Sequence, residues 1–256
     1  MKKFALVIAV MALVLLVGQT AFAAGSNAGL KLGYAKASGD AIVGNQGTIF
    51  SDSYSAFQLG ISASYYTQIN VSASLKLNLG FGKTFRSSAH PDFIDNTLKT
   101  FMLNLHAFIK YDIYNGYGIS VAPQIGMILD SDRSNVIETV TLQPGQSTPA
   151  DYTRSAIFLA AGLFVRVDVT PKVEVYLDAK FPILYSFAYT NTPDLSGSFD
   201  SFYYDVTLGV LYEILPNLFV GVEANASNST GRQVYDVNHG KDSFGFDVGA
   251  KIEFKF

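Results

Sequence analysis

The 256-residue chain contains no cysteine and no tryptophan. Without cysteine there is no disulfide, no thiolate nucleophile, no sulfur-ligated metal and no residue to acylate at a lipoprotein cleavage site. Charge is scarce as well: 15% of residues are charged against 49% hydrophobic, which is too apolar for a disordered chain. A formal charge of −3 with no basic run argues against a nucleic-acid partner. Long hydrophobic runs are missing too, with one exception at the start. There Lys2 and Lys3 precede an apolar stretch over residues 4–17, followed by Ala21-Phe22-Ala23. A basic n-region, a short h-region and an Ala-x-Ala site predict a secretory signal peptide over residues 1–23, because the run falls short of the roughly 20 apolar residues of a spanning helix. Cleavage would leave residues 24–256 as one domain. It would take the formal charge from −3 to −5, with 16 of the 18 basic residues left against 21 acidic ones. Beyond residue 23 nothing approaches a membrane helix, so any spanning structure must be built of strands.

What the mature chain does contain is alternation. Its end reads FDVGAKIEFKF, with Phe246, Val248, Ala250, Ile252, Phe254 and Phe256 on one parity and Asp247, Gly249, Lys251, Glu253 and Lys255 on the other. A period of two is the signature of an extended strand, whose side chains point to opposite faces in turn. The same pattern recurs over residues 30–34, 57–65, 71–81, 101–111, 119–127, 157–167, 173–183, 202–212 and 218–224, and no apolar face carries a charge. Ten strands are therefore expected. Short connections at 67–70, 115–116, 170–172 and 215–217 hold the Asn, Gly or Pro of tight turns. They alternate with long ones at 38–52, 86–97, 130–153, 190–199 and 228–240, rich in Ser, Asp, Asn, Gly and Thr. Strands joined in this way predict an all-β, up-and-down antiparallel barrel.

Two media are compatible with such strands. In a soluble β-protein the apolar face is the core, and the other face should be rich in Lys, Glu and Thr. Here the second parity is crowded with small residues such as Gly33, Gly60, Ser62, Gly80, Gly126, Gly209 and Gly249, which suit the inside of a narrow barrel. A transmembrane β-barrel with its apolar face in lipid is the expectation. Two prolines test the strand assignments, because Pro donates nothing to a ladder. Pro123 and Pro182, both near the ends of an apolar stretch, should each be accommodated by a bulge or by a strand that extends past the membrane.

The export signal, the amphipathic strands and the terminal KIEFKF together resemble a bacterial outer-membrane β-barrel protein of the small porin-like or opacity type, over nearly the whole chain. The resemblance implies short periplasmic turns and longer extracellular loops. It also implies a bacterial outer-membrane location, with outer-membrane lipid and lipopolysaccharide around the wall. It further implies that the barrel assembly machinery reads Phe254 and Phe256 as a C-terminal signal. The girdles must be built without tryptophan, from Tyr65, Tyr66, Tyr111, Tyr114, Tyr117, Tyr185, Tyr189 and Tyr212. By parity the lumen receives Lys31, Lys76, His106, Lys110, Arg166, Glu174, Asp178, Lys180, Asp205, Glu223, Asp247, Lys251 and Glu253, with Tyr66, Phe108, Phe158, Phe164, Tyr176, Tyr203 and Phe219. Near-equal numbers of both signs predict internal ion pairs, and ten strands lie close to the size that side chains can fill.

Chemistry is sparsely signalled. Omptin proteases use an Asp pair and an Asp–His pair above the barrel mouth; here Asp130 and Asp132 are spaced Asp-x-Asp, but Asp236 and His239 read Asp-x-x-His. His90 has no visible partner, and Asp130, Asp132 and Glu138 are the nearest approach to a calcium site. No nucleophile elbow, zinc motif or phosphate-cradling loop occurs. The sequence therefore predicts a monomeric, non-enzymatic barrel without metal or cofactor, acting in a structural or surface-interaction role through its loops toward some extracellular ligand. A narrow channel for small solutes or ions is the alternative, and a loop-borne protease or lipid-modifying enzyme is a third reading.

Overall fold

In the computed structural model the described residues are 26–43, 48–67, 70–88, 96–139, 152–190, 197–233 and 239–256. The segment expected to be a signal peptide lies outside them. The strands run β1 (Asn27–Val43), β2 (Thr48–Tyr66), β3 (Val71–Ser88), β4 (Asn96–Tyr111), β5 (Tyr114–Gly116) and β6 (Ile119–Thr139). They continue with β7 (Tyr152–Thr170), β8 (Val173–Thr190), β9 (Gly197–Leu215), β10 (Leu218–Gln233) and β11 (His239–Lys255). Each pairs antiparallel with its neighbour in sequence, except that β6 reaches past the three-residue β5 to pair with β4. β1 then pairs with β11 along its whole length, from Asn27 opposite Lys255 to Val43 opposite His239. The result is a closed barrel of ten long strands, with β5 a short continuation of β4. Closure leaves no free sheet edge, which a wall in hydrocarbon requires.

Parity sets the two faces as the alternation predicts. On the outside Leu75 is 50% exposed, Ile125 52% and Phe246 46%, while their sequence neighbours turn inward. Side chains, not backbone, fill the bore. Phe108, Ile128, Phe158 and Ala160 form one buried apolar cluster, and Tyr176, Leu211, Phe219 and Phe164 form another.

Two local features differ from the sequence expectation. First, the strands are longer than the hydropathy pattern shows. The long strands have 16 to 21 residues, whereas about 9 to 11 cross a bilayer. Much of 38–52, 86–97, 130–153, 190–199 and 228–240 is therefore strand, and the barrel wall continues past the apolar band; the residues between successive strands there lie outside the described ones. Alternation in hydropathy disappears where both faces of a strand are wet, so it could not mark this extension. Second, the turn after β4 is not Asn115-Gly116. Those residues pair in β5, and the reversal is made by Tyr117 and Gly118 at φ 52° and 73°, the left-handed pair of a type I′ hairpin. Tyr66 stands on the inward parity, as the alternation places it, and is only partly exposed, whereas Tyr65, Tyr111, Tyr114, Tyr117 and Tyr212 are exposed at the same rim. The side chains of Tyr185 and Tyr189 lie outside the described residues.

Both prolines sit where the ladder tolerates them. Pro123 pairs in register with Leu163, and on its other side β6 passes from β4 to β5 between Gln124 and Val121. At Pro182 the pairing of β8 with β9 is interrupted between Lys180 and Ser186, and the register with β7 shifts. A missing donor next to a broken ladder leaves no carbonyl expecting it.

Candidate functional site in the barrel lumen

Inward parity brings the predicted ionisable residues to one surface, and barrel closure makes that surface converge. Glu223 on β10 is the centre. One of its oxygens, Oε1, accepts from Lys76 Nζ at 2.8 Å and from Lys31 Nζ at 3.2 Å. The other, Oε2, accepts from the Tyr176 hydroxyl at 2.6 Å and lies 3.6 Å from Lys251 Nζ. Lys76 is on β3, four places from β10 around the ring, so its bond to Glu223 spans the bore. Lys31 also pairs with Asp247, and Lys251 pairs with Glu253 at 2.8 Å and donates to the Tyr176 hydroxyl at 3.0 Å. One carboxylate thus ties β1, β3, β8, β10 and β11 together.

A second knot lies on the β8–β9 side. Lys180 Nζ is 2.7 Å from Asp178 and 3.8 Å from Asp205. Gln124 donates to Asp178 at 2.5 Å, and Asn225 donates to Asp205 at 2.8 Å and to Thr207 at 2.9 Å. Below it Glu174 binds Lys255 and lies 3.9 Å from Arg166. Burying charges is tolerable only when each finds an opposite charge or several hydrogen bonds, and both knots meet that condition.

Two of the predicted lumen residues stand outside these knots. His106 is 3% exposed, and neither ring nitrogen has a hydrogen-bond partner. Lys110 is 8% exposed and places its ammonium 3.9 Å from the centre of the Phe164 ring, with no carboxylate pair among the described residues. Both line a cavity of about 80 Å³ shared with Lys76, Phe164, Tyr176 and Asp178. Sequence reading missed Lys255, Gln124, Asn225 and Thr207 as members of the knots. Their inward parity was visible, but neutral side chains and a terminal lysine gave no reason to single them out.

Gly209 shows how tightly the site is packed. A methyl group there would lie 2.2 Å from the Tyr176 ring, so the ring that holds Glu223 rests directly on bare backbone. Gly209→Ala is expected to destabilise the barrel by about 1–3 kcal/mol through overpacking, read as a lower denaturation midpoint in micelles. Gly116→Ala, whose methyl would meet nothing closer than 3.5 Å, should change little.

Elsewhere the predicted residues do not assemble. Asp130 and Asp132 lie on β6 and His239 opens β11, five places away around the ring, on opposite walls. Asp236 and His90 lie outside the described residues, as do the side chains of Asp132, Glu138, His239 and Tyr203. Among the described residues no cluster of three His, Asp or Glu could hold a metal ion. At the seam, the Phe254 and Phe256 rings meet edge to face at 4.9 Å, and the backbone N–H of Phe256 donates to Ser26.

No protein-family model and no curated protein matches the chain. Among solved structures it is similar to the outer membrane protease OmpT from Escherichia coli, with a TM-score of 0.64 and 15% identity over 91% of this chain and 97% of that one. It also aligns with neisserial surface protein A at TM-score 0.37 and 16% identity, covering 91% of this chain and 97% of that one. The outer membrane protein OprG from Pseudomonas aeruginosa gives TM-score 0.43 and 11% identity, covering 92% of this chain and 99% of that one. At these identities the OmpT likeness speaks for the fold alone, and it is the fold expected from the alternation.

Proposed function

We propose that this chain, which has the fold of the bacterial outer-membrane β-barrels, resides in the outer membrane as a closed barrel and acts as a structural or surface-interaction protein through its extracellular rim. The observation that carries the proposal is the Glu223 tie across the bore. A channel needs a continuous wet path, and here Lys76, Glu223, Tyr176 and Lys251 meet in the middle of the lumen at hydrogen-bonding distances. Apolar clusters occupy the bore as well. The extracellular rim remains as the working surface, and rims on rigid scaffolds commonly carry recognition. In this reading the chain is a monomer wetted by outer-membrane lipid and lipopolysaccharide, and Phe254 and Phe256 present its C-terminal signal to the assembly machinery.

Planar-bilayer recording of the purified protein tests the closed bore. The expected result is no steady conductance, and an ohmic single-channel current would favour solute transport instead. The proposal also makes the chain a non-enzyme. Peptides and lipid A incubated with it should stay intact, and cleavage that is lost in Asp132→Ala would contradict this.

A further inference from the structure

Among the residues whose side chains are described, the charges on the outward parity of the wall are three lysines in one sector. Following a single row of paired residues around the outside gives Phe246 on β11, Lys36 on β1, Ser55 on β2, Lys83 on β3 and Lys99 on β4. In the other direction the row winds down the tilted strands into the apolar stretches, through Ala226, Val206, Ala179 and Leu163, and meets β6 again at Pro123 rather than at Asn135, the partner of Lys99. Lys36, Lys83 and Lys99 are all exposed, and among the described residues none of them has an ion-pair partner. Lys83 and Lys99 are directly opposite each other. Their Cβ atoms are therefore about 5 Å apart, an arrangement in which like charges repel. Lys36 stands two strands from Lys83, about 10 Å away at the usual strand spacing.

Immediately below, one step toward the periplasmic turns, the paired row is Tyr34, Phe57, Phe81 and Phe101. These rings are exposed by 48%, 53%, 52% and 36%, and those of Phe81 and Phe101 are 5.2 Å apart. Leu32, Leu59, Leu79 and Leu103 follow in the next outward row. From Phe101 to Tyr111 on β4 is ten residues, about 26 Å of membrane height at 3.4 Å per residue and a tilt near 40°. The lysines therefore stand where the apolar band ends, on the side away from the turns. An uncompensated cationic row over an aromatic and aliphatic bed is complementary to one kind of molecule: a lipid with phosphate at its headgroup and several acyl chains.

We propose that Lys36, Lys83 and Lys99 bind the phosphates of an outer-leaflet glycolipid of the lipid A class, whose acyl chains lie along Tyr34, Phe57, Phe81, Phe101 and the leucines below. The proposal rests on the outer-membrane placement given above and adds a defined site to it. The phosphates offset the repulsion between Lys83 and Lys99, and the aromatic row presents flat surface to the first carbons of the chains.

Native mass spectrometry of the protein titrated with diphosphorylated and with dephosphorylated lipid A tests the site. Wild type should bind the diphosphorylated form at least tenfold more tightly than Lys36→Gln/Lys83→Gln/Lys99→Gln. Removing the phosphates should bring wild type down to the level of that variant. Lys172→Gln, at an exposed turn lysine of the opposite rim, should bind like wild type. Equal affinity of wild type and triple variant, or indifference to the phosphates, would overturn the proposal. Should the triple variant fold poorly, Lys83→Gln/Lys99→Gln gives an independent reading. Without lipid A it should unfold at higher denaturant than wild type, because a repulsion is gone, and lipid A should raise the midpoint of wild type only. A wild-type midpoint that does not respond to lipid A would refute the site. Insertion into vesicles that lack lipid A reports on the membrane reading separately and does not depend on these lysines.

Discussion

Glu223→Ala is expected to destabilise the barrel by about 3–5 kcal/mol, the usual consequence of removing one partner from a buried ion cluster and leaving the others uncompensated. Lys31, Lys76 and Lys251 all direct their ammonium groups at this carboxylate, and Tyr176 donates to it. Asp247 and Glu253 still hold Lys31 and Lys251, so the group left most exposed to the loss is Lys76, which has no other carboxylate partner among the described residues. The second substitution Lys76→Met in the Glu223→Ala background should therefore recover a measurable part of the loss, since an apolar side chain of similar volume needs no counter-charge. Equilibrium denaturation in lipid vesicles gives both numbers. Additive losses in the double variant would show that the Lys76–Glu223 contact across the bore does not form.

The second large effect belongs to the outer face. Leu75 is half exposed near the middle of the apolar band on β3. Leu75→Arg should cost about 2–4 kcal/mol in a bilayer, the price of a charge at midplane on the lipid side of a barrel. In a water-soluble barrel the same change at an exposed position would be nearly neutral, within about 0.5 kcal/mol. Denaturation of the variant in vesicles separates the two, and a cost below 1 kcal/mol would argue against lipid contact at this position.

Strand positions were legible in the sequence because every outward side chain from Val71 to Phe81, and from Ile119 to Met127, is uncharged, as a wall facing lipid would require. Above the band that requirement lapses. Lys36, Lys83 and Lys99 look outward without disturbing the strand, and the alternation that announces β3 and β4 stops before the strands do. The turn at Tyr117-Gly118 was hidden for a different reason. Asn115-Gly116 is the commoner left-handed pair, and nothing local reveals that β5 uses it as strand and leaves Tyr117 at positive φ. In the lumen, parity gives the face of a residue but neither its height nor its direction around the ring. It could place Glu223 and Lys76 inside, yet their meeting across four strands depends on the register and stagger of the closed sheet. Likewise nothing in the sequence separates His106 and Lys110, which stay outside the ion pairs, from Lys180, which joins one.

The central claim is that the apolar parity faces lipid and the ionised parity faces the bore. Because the chain contains no cysteine, single cysteines placed in turn at positions 247 to 252 on β11 and spin-labelled report each site without interference. In vesicles, labels at Val248, Ala250 and Ile252 should collide freely with oxygen dissolved in the bilayer, while those at Asp247, Gly249 and Lys251 are shielded from it. Shielded labels at the first three sites, together with labels at the second three open to a water-soluble nickel complex, would contradict the account.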